Sequence, residues 1–264
     1  MKLKNIIRGI LKKVGLKIVR VCRNEWSDTA ASYHLRESTT TATNFYGKQL
    51  SMLFETYDPF YPGCSDDFTF GRWFPQSVTF AKEILPFLQE IMSTYIRENQ
   101  AVTEISIADV GGGIGAGSEY IRARMQIYFH KTENNNVIIN MTCIDTNKSF
   151  KEWCNHFSPK IIFQHGNAFN MIEKYDYIIS SHTIEHVEQP YMFGEYLAGL
   201  ARKNVFIYAP YNEFPLPKET SGHINTIDDT LINKLNPLKV VHINSAGYGQ
   251  KDCVLFVLPG KAGR

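Results

Sequence analysis

The sequence predicts an α/β fold: a seven-stranded, mostly parallel sheet with an antiparallel final strand and helices on both faces. Three observations carry this. From residue 77 onward, short and nearly continuous apolar runs alternate with stretches of helical periodicity. The first run opens into a glycine-rich loop, ADVGGGIGAG at 108–117, just ahead of a helical stretch. The last two runs, LKVVHIN and CVLFVL, are joined by a loop too short for a crossover helix, so they should pair antiparallel.

The elements follow in order. Phe80, Ile84, Phe87, Leu88, Ile91 and Tyr95 form a helical stripe that Pro86 can bend. EISIADV is a buried strand ending at the glycine loop, and Ile121, Met125 and Tyr128 stripe the helix behind it. VIINMTCI is strand two, ending at Asp145; Phe150, Trp153, Cys154 and Phe157 stripe the next helix. KIIFQH and YDYIIS are strands three and four. Phe193, Tyr196, Leu197 and Leu200 stripe a helix before NVFIYAP, strand five. Thr226 and Asp229, at capping-box-like spacing, predict a short helix before the final pair.

Ahead of this domain (77–264) lie two segments of different character. Residues 1–24 carry eight Lys or Arg and no acid, while the other 240 residues carry 20 basic and 26 acidic side chains, net −6. In the first segment Leu3, Ile6, Ile7, Ile10, Leu11, Val14, Ile18 and Val21 recur at helical spacing. Such a basic amphipathic helix can lie through residues 2–21 on an anionic membrane surface. It can equally pack on its own domain with the lysines in water. Lys12, Lys13 and Lys17 interrupt any signal-peptide core, and no run of 18 apolar residues predicts a membrane span. Residues 25–76 lose periodicity and read as an irregular, aromatic-rich cap or lid, with turns at Asp58-Pro59 and Pro62-Gly63. The five cysteines are odd in number and none are in C-x-x-C spacing. That argues against a disulfide framework or a zinc knuckle and for the reducing cytoplasm, with peripheral contact at the inner face of the membrane if the basic helix binds there.

Five glycines in ten residues are entropically costly and imply a backbone that wraps something closely. A phosphate-binding P-loop needs a Lys after the glycines, and none follows. The dinucleotide fingerprint G-x-G-x-x-G is met only loosely, by Gly111-x-Gly113-x-x-Ala116. Asp109, two residues before Gly111, would repel a pyrophosphate and welcome an amine-bearing ligand.

In these residues the chain resembles the class I S-adenosylmethionine-dependent methyltransferases. Asp109, Gly111, Gly113 and Gly115 stand in the register of the family's first motif, an acid followed by G-x-G-x-G. The resemblance implies that this loop lies against the methionine part of S-adenosyl-L-methionine. It also implies that Asp145, ending strand two, binds the ribose hydroxyls. Gly166-Asn167-Ala168 occupies the place of the adenine-contacting motif, with Asn for the usual Asp. Ser181, where strand four ends, joins the implied cofactor-binding set. Glu185-His186-Val187 resembles the segment after strand four in small-molecule methyltransferases. The resemblance spans about residues 78–258 and implies a Rossmann-like methyltransferase fold.

On the acceptor side, an alcohol needs a base of near-neutral pKa, which favours histidine. His182 at the strand-four mouth is the first candidate and His223, in SGHINTI, the next. His186 either takes part or orients its loop through hydrogen bonds. Glu185 and His186 are adjacent, and two neighbouring ligands do not make a metal site, so no metal is expected. The acidic body disfavours nucleic acid, and the base-methylating [ND]-P-P-[YF] signature is absent. The expected activity is therefore O-methylation of a small hydroxylated acceptor, such as a sugar or lipid-linked sugar of surface polysaccharide. The alternatives are a non-catalytic methyltransferase-like subunit binding a partner through residues 1–76, and a nicotinamide-dependent oxidoreductase.

Overall fold

The computed structural model describes residues 67–99, 101–132, 137–213 and 222–263. The basic segment 1–24 and most of the aromatic segment, through residue 66, lie outside the described residues. The chain divides into two compact units, Met1–Gln76 and Ser77–Arg264, and the sheet belongs to the second.

The described chain opens with helix α1, Asp67–Glu98. The sequence predicts irregular structure up to Gln76, because periodicity is lost across this aromatic, proline-punctuated stretch. The helix nevertheless begins at Asp67 and runs through Pro75 and Pro86. Extending a helix already formed over 77–98 avoids the cost of a second nucleation, although Pro75, without an N–H, adds no bond of its own. Phe80, Ile84 and Leu88 of the expected stripe are buried, whereas Phe87, Ile91 and Tyr95 are half-buried and Leu85, Met92 and Ile96 are buried beside them.

The remaining elements are β1 (Glu104–Val110), α2 (Ala116–Thr132), β2 (Ile138–Asp145), α3 (Phe150–Phe157) and β3 (Ile162–His165), then β4 (Tyr175–Ser181), α4 (Pro190–Leu200), β5 (Ala201–Pro210), α5 (Asp229–Lys234), β6 (Lys239–Ser245) and β7 (Lys251–Pro259). Single 3-10 turns sit at Ala168–Asn170 and Ile184–His186. The seven strands form one sheet in the order β3-β2-β1-β4-β5-β7-β6. All pairs from β3 to β5 are parallel, and β7 runs antiparallel to both β5 and β6. The central strands are apolar on both faces because both faces are covered: Ile105, Ile107, Ala108 and Val110 of β1 are all buried. At the edge, β6 alternates partly buried and exposed residues, as a strand covered on one face should.

Three local expectations shift. In α2 the buried aromatics are Tyr120 and Phe129 rather than Tyr128, whose hydroxyl accepts a hydrogen bond from Ser93 Oγ. Strand five starts at Ala201, three residues before NVFIYAP. The cap of α5 is Asp228, whose side chain accepts from the Leu231 amide, rather than Thr226. A carboxylate one residue before the first turn is the better-placed acceptor.

One polar anchor sets the geometry of the site. Glu83 on α1 accepts hydrogen bonds from Tyr208 of β5 (2.7 Å), from the Ser245 hydroxyl (2.8 Å) and from the Ala246 amide (2.8 Å). This fixes α1 against the antiparallel edge of the sheet and brings Phe80 over the end of β4.

Candidate active site

Ligands of open parallel sheets bind beyond the carboxyl ends of the strands, where the strand order reverses. Here that point lies between β1 and β4, and a cavity of about 720 Å³ opens there. Its walls include Val110 and Gly111 after β1, Asp145 and Thr146 after β2, Gly166 to Phe169 after β3, and His182, Thr183, His186 and Val187 after β4.

The glycine loop is shaped from both sides. Gly111 has φ +77°, and a Cβ added there would lie 2.1 Å from the Thr183 hydroxyl. Its amide donates to the Ile144 carbonyl (2.8 Å), so β1 and β2 stay joined past the strand ends. Gly113, at φ +59°, is the opposite case, since a Cβ there would meet nothing within 4 Å. Its amide donates to Asp145 Oδ2 (2.9 Å), while Asp145 Oδ1 accepts from the Asn147 amide (2.8 Å). Each carboxylate oxygen keeps capacity for one more donor, which suits a diol. Burial pushes the Asp145 carboxyl above its usual range, against the Asn147 and Gly113 amides and nearby His165, which lower it.

Of the four first-motif residues, Gly111 lines the cavity and Gly113 borders open space outside its lining, while the other two are turned into the protein. Gly115, at φ +78°, packs on Cys154 of α3, whose sulfur would lie 2.7 Å from an added Cβ. Asp109 is only 6% exposed and accepts a 2.6 Å hydrogen bond from the Ser118 hydroxyl on α2. Burial pushes its carboxyl up to about 6, against the Ser118 hydrogen bond, with the Asp145 charge adding to the rise. Asp109 thus ties the loop to α2 from beneath and does not meet a ligand's amine directly. Gly112, absent from the expected set, is held to a bare backbone by this carboxylate and by Cys143.

After β3, Asn167 caps its 3-10 turn by accepting from the Phe169 amide (3.0 Å), and it lines the cavity together with Ala168 and Phe169. Ser181 is outside the lining, its hydroxyl buried without a hydrogen-bond partner in the described structure. Thr183, which the motifs do not single out, takes the position over Gly111.

The histidines separate into two kinds. His182 has φ +50°, a left-handed backbone that is unusual for a non-glycine residue, and its amide donates to the Tyr208 carbonyl (2.7 Å). Its ring stacks on Phe80, with centroids 3.8 Å apart. Nδ1 faces Glu185 at 3.4 Å and Nε2 faces the Cys253 sulfur at 3.9 Å. Burial pushes the Cys253 thiol up to about 12, so it stays protonated and can donate to Nε2. Both ring nitrogens thus stand near protein groups, while the residue also lines the cavity.

His186, His223 and Glu185 gather instead. Their ligand atoms all lie within 4.8 Å of one another, although His223 is 37 positions beyond His186. His186 Nδ1 lies 2.8 Å from the Gly222 carbonyl, and its side chain is 40% exposed. His223 is buried, with Nδ1 2.8 Å from Glu213 Oε2. Glu213 also accepts from Tyr248 (2.7 Å) and Lys251 (3.0 Å). Burial raises its carboxyl, but the hydrogen bonds from Tyr248, Lys251 and His223 outweigh that and leave it below the usual range. Glu185 is 1% exposed, and neither of its oxygens accepts a hydrogen bond among the described residues. Glu213 escapes the motifs; its position just after β5, among the carboxyl ends of the strands, is the one signal that marks it.

No family model matches the sequence, and no curated protein matches it. Solved structures do. The chain is 10% identical to the magnesium protoporphyrin IX methyltransferase of Synechocystis PCC 6803 with bound SAH, at a TM-score of 0.51 over 87% of this chain and 100% of that one. It is 13% identical to the CurJ carbon methyltransferase, at a TM-score of 0.50 over 98% of this chain and 80% of that one. The likeness is one of fold: the chain has the class I S-adenosylmethionine-dependent methyltransferase fold.

Proposed function

We propose that this chain binds S-adenosyl-L-methionine and transfers its methyl group to a hydroxyl of a small acceptor, a sugar or lipid-linked sugar of surface polysaccharide. The observation that carries the reading is the meeting of Gly111, Asp145 and the Gly166–Phe169 loop in one cavity, with open space above Gly113. The residues fit that cofactor. The bare backbone at Gly113 leaves room for a ligand chain, and Asp145 presents two acceptors for the ribose. Ala168, Phe169, Val187 and Phe193 supply an apolar wall for a base. The volume lies within the roughly 300–1,000 Å³ of small-ligand sites.

When bound, the cofactor supplies an electrophilic methyl on a sulfonium. The rest is work for this chain: holding the acceptor in line and drawing off its proton. The polar end of the cavity, His186 with Glu185 and His223 behind it, is where a hydroxyl would be held. The fold alone names no acceptor. The net −6 of residues 25–264 supports an acceptor other than a polyanion.

The test is turnover of methyl-labelled cofactor with a panel of sugars and lipid-linked sugars, alongside binding of SAH (S-adenosylhomocysteine) and NAD. The expected result is SAH binding, no NAD binding, and label in an O-methyl group. NAD binding in place of SAH would favour an oxidoreductase. SAH binding without transfer to any acceptor class would favour the non-catalytic alternative.

A further inference from the structure

We propose that Glu185, His186 and His223 form a binding site for a divalent first-row transition-metal ion at the polar end of the cavity. Two imidazoles and one carboxylate are a donor set that such ions take up, and hard ions such as magnesium prefer an all-oxygen set. The three ligand atoms converge from two separate segments, the 3-10 turn after β4 and the Gly222-His223 segment after β5.

The state of each group points to a cation. Glu185 is 1% exposed and its two oxygens accept no hydrogen bond among the described residues, with His182 Nδ1 at 3.4 Å and His186 Nε2 at 4.0 Å from Oε1. Buried carboxylates are normally paired, hydrogen-bonded or bound to metal. The Gly222 carbonyl can only accept, so His186 Nδ1 carries the proton and its lone pair sits on Nε2. That nitrogen faces Glu185 Oε1 at 4.0 Å. Two acceptors face each other across a gap about twice a metal–ligand bond of roughly 2.0–2.2 Å. A small closure of the turn would bring both into a coordination sphere.

The outer contacts are those of a metal site. His186 bonds a backbone carbonyl and His223 bonds the Glu213 carboxylate, each through Nδ1, which sets the tautomer with the lone pair on Nε2. Glu213 is itself fixed by Tyr248 and Lys251. His182 reaches Glu185 from the far side at 3.4 Å but turns Nε2 to the Cys253 thiol, so it steadies the carboxylate rather than joining the set. Three protein ligands leave coordination positions open. His186 lines the cavity, so an acceptor hydroxyl bound at such a position would be acidified by the ion. That use rests on the methyl-transfer reading; the binding of the ion does not.

The experiment is a cobalt(II) titration of the full chain after chelator treatment, read by visible absorption, with SAH calorimetry on the same samples. Wild type should show one equivalent of cobalt with visible bands. Loss of an outer partner costs about 10–100-fold in metal affinity, so E185Q and H223A should each weaken cobalt by more than about 100-fold, and E213Q by about 10–100-fold. All three should still bind SAH, which shows that they fold. No cobalt bands in wild type, or bands undiminished in both E185Q and H223A, would overturn the site. SAH binding without cobalt binding would end the metal proposal and leave the methyltransferase reading standing, and the converse result would do the reverse.

Discussion

The two walls of the cavity are built on different terms. On the β1–β2 side, polar groups are answered within the wall: Gly113 by Asp145, Asp145 by Asn147, Asp109 by Ser118. On the β4–β5 side, Glu185 is buried with neither oxygen hydrogen-bonded among the described residues, and His182 holds a left-handed backbone beside it. A wall whose contacts are complete is pre-organised and binds without rearranging. A wall with a buried carboxylate that accepts no hydrogen bond among the described residues, flanked by His182 and His186, has room for the cation proposed above.

The glycines offer the largest way to break the comparison. Gly111→Ala puts a methyl 2.1 Å from Thr183 Oγ1 on a positive-φ backbone. Strain and overpacking together should cost about 2–5 kcal/mol of stability, measured by urea unfolding. Gly113→Ala shares the positive φ but meets only open space. It should cost only about 1–2 kcal/mol in unfolding and should instead weaken SAH, since the methyl enters the ligand's space. If the two variants lose stability equally and both bind SAH normally, the loop does not distinguish a packed side from a ligand side.

A smaller effect sharpens the picture of the first wall. Burial holds the Asp109 carboxyl at about 6, above its ordinary 3.8. A raised carboxyl pKa contributes stability that is fully present below the unfolded value and is lost as pH rises through the folded one. Wild type should therefore lose about 3 kcal/mol relative to Asp109→Asn between about pH 4 and pH 6, at roughly 1.4 kcal/mol per unit. Parallel stability curves for the two proteins across that range would place the Asp109 carboxylate in water.

What the sequence made legible follows the same division. Strands β1, β2, β4 and β7 can be read as apolar runs, because a strand covered on both faces tolerates little else. Gly111 and Gly113 can be read because positive φ and close approach leave glycine almost alone. Asp145 is found because it ends a strand. Side-chain direction is the part that cannot be read this way. Asp109 turns inward because Ser118 lies under it, and the His182 ring stands beside Cys253, 71 residues later. The Glu185–His186–His223 group and its Glu213 support join segments that only the sheet brings together. The start of α1 at Asp67 was hidden by the lost periodicity of the aromatic, proline-punctuated stretch into which the helix extends.

The central claim is that the cavity at the β1–β4 switch holds S-adenosyl-L-methionine with its ribose on Asp145. Calorimetric titration of SAH into wild type and Asp145→Ala tests it most directly. The account predicts a single site in wild type, weakened in the variant by about 1.5–3 kcal/mol, the worth of a hydrogen bond to a charged group. Equal affinity in the two proteins would take Asp145 off the ribose, and no binding by either would contradict the reading of the cavity itself.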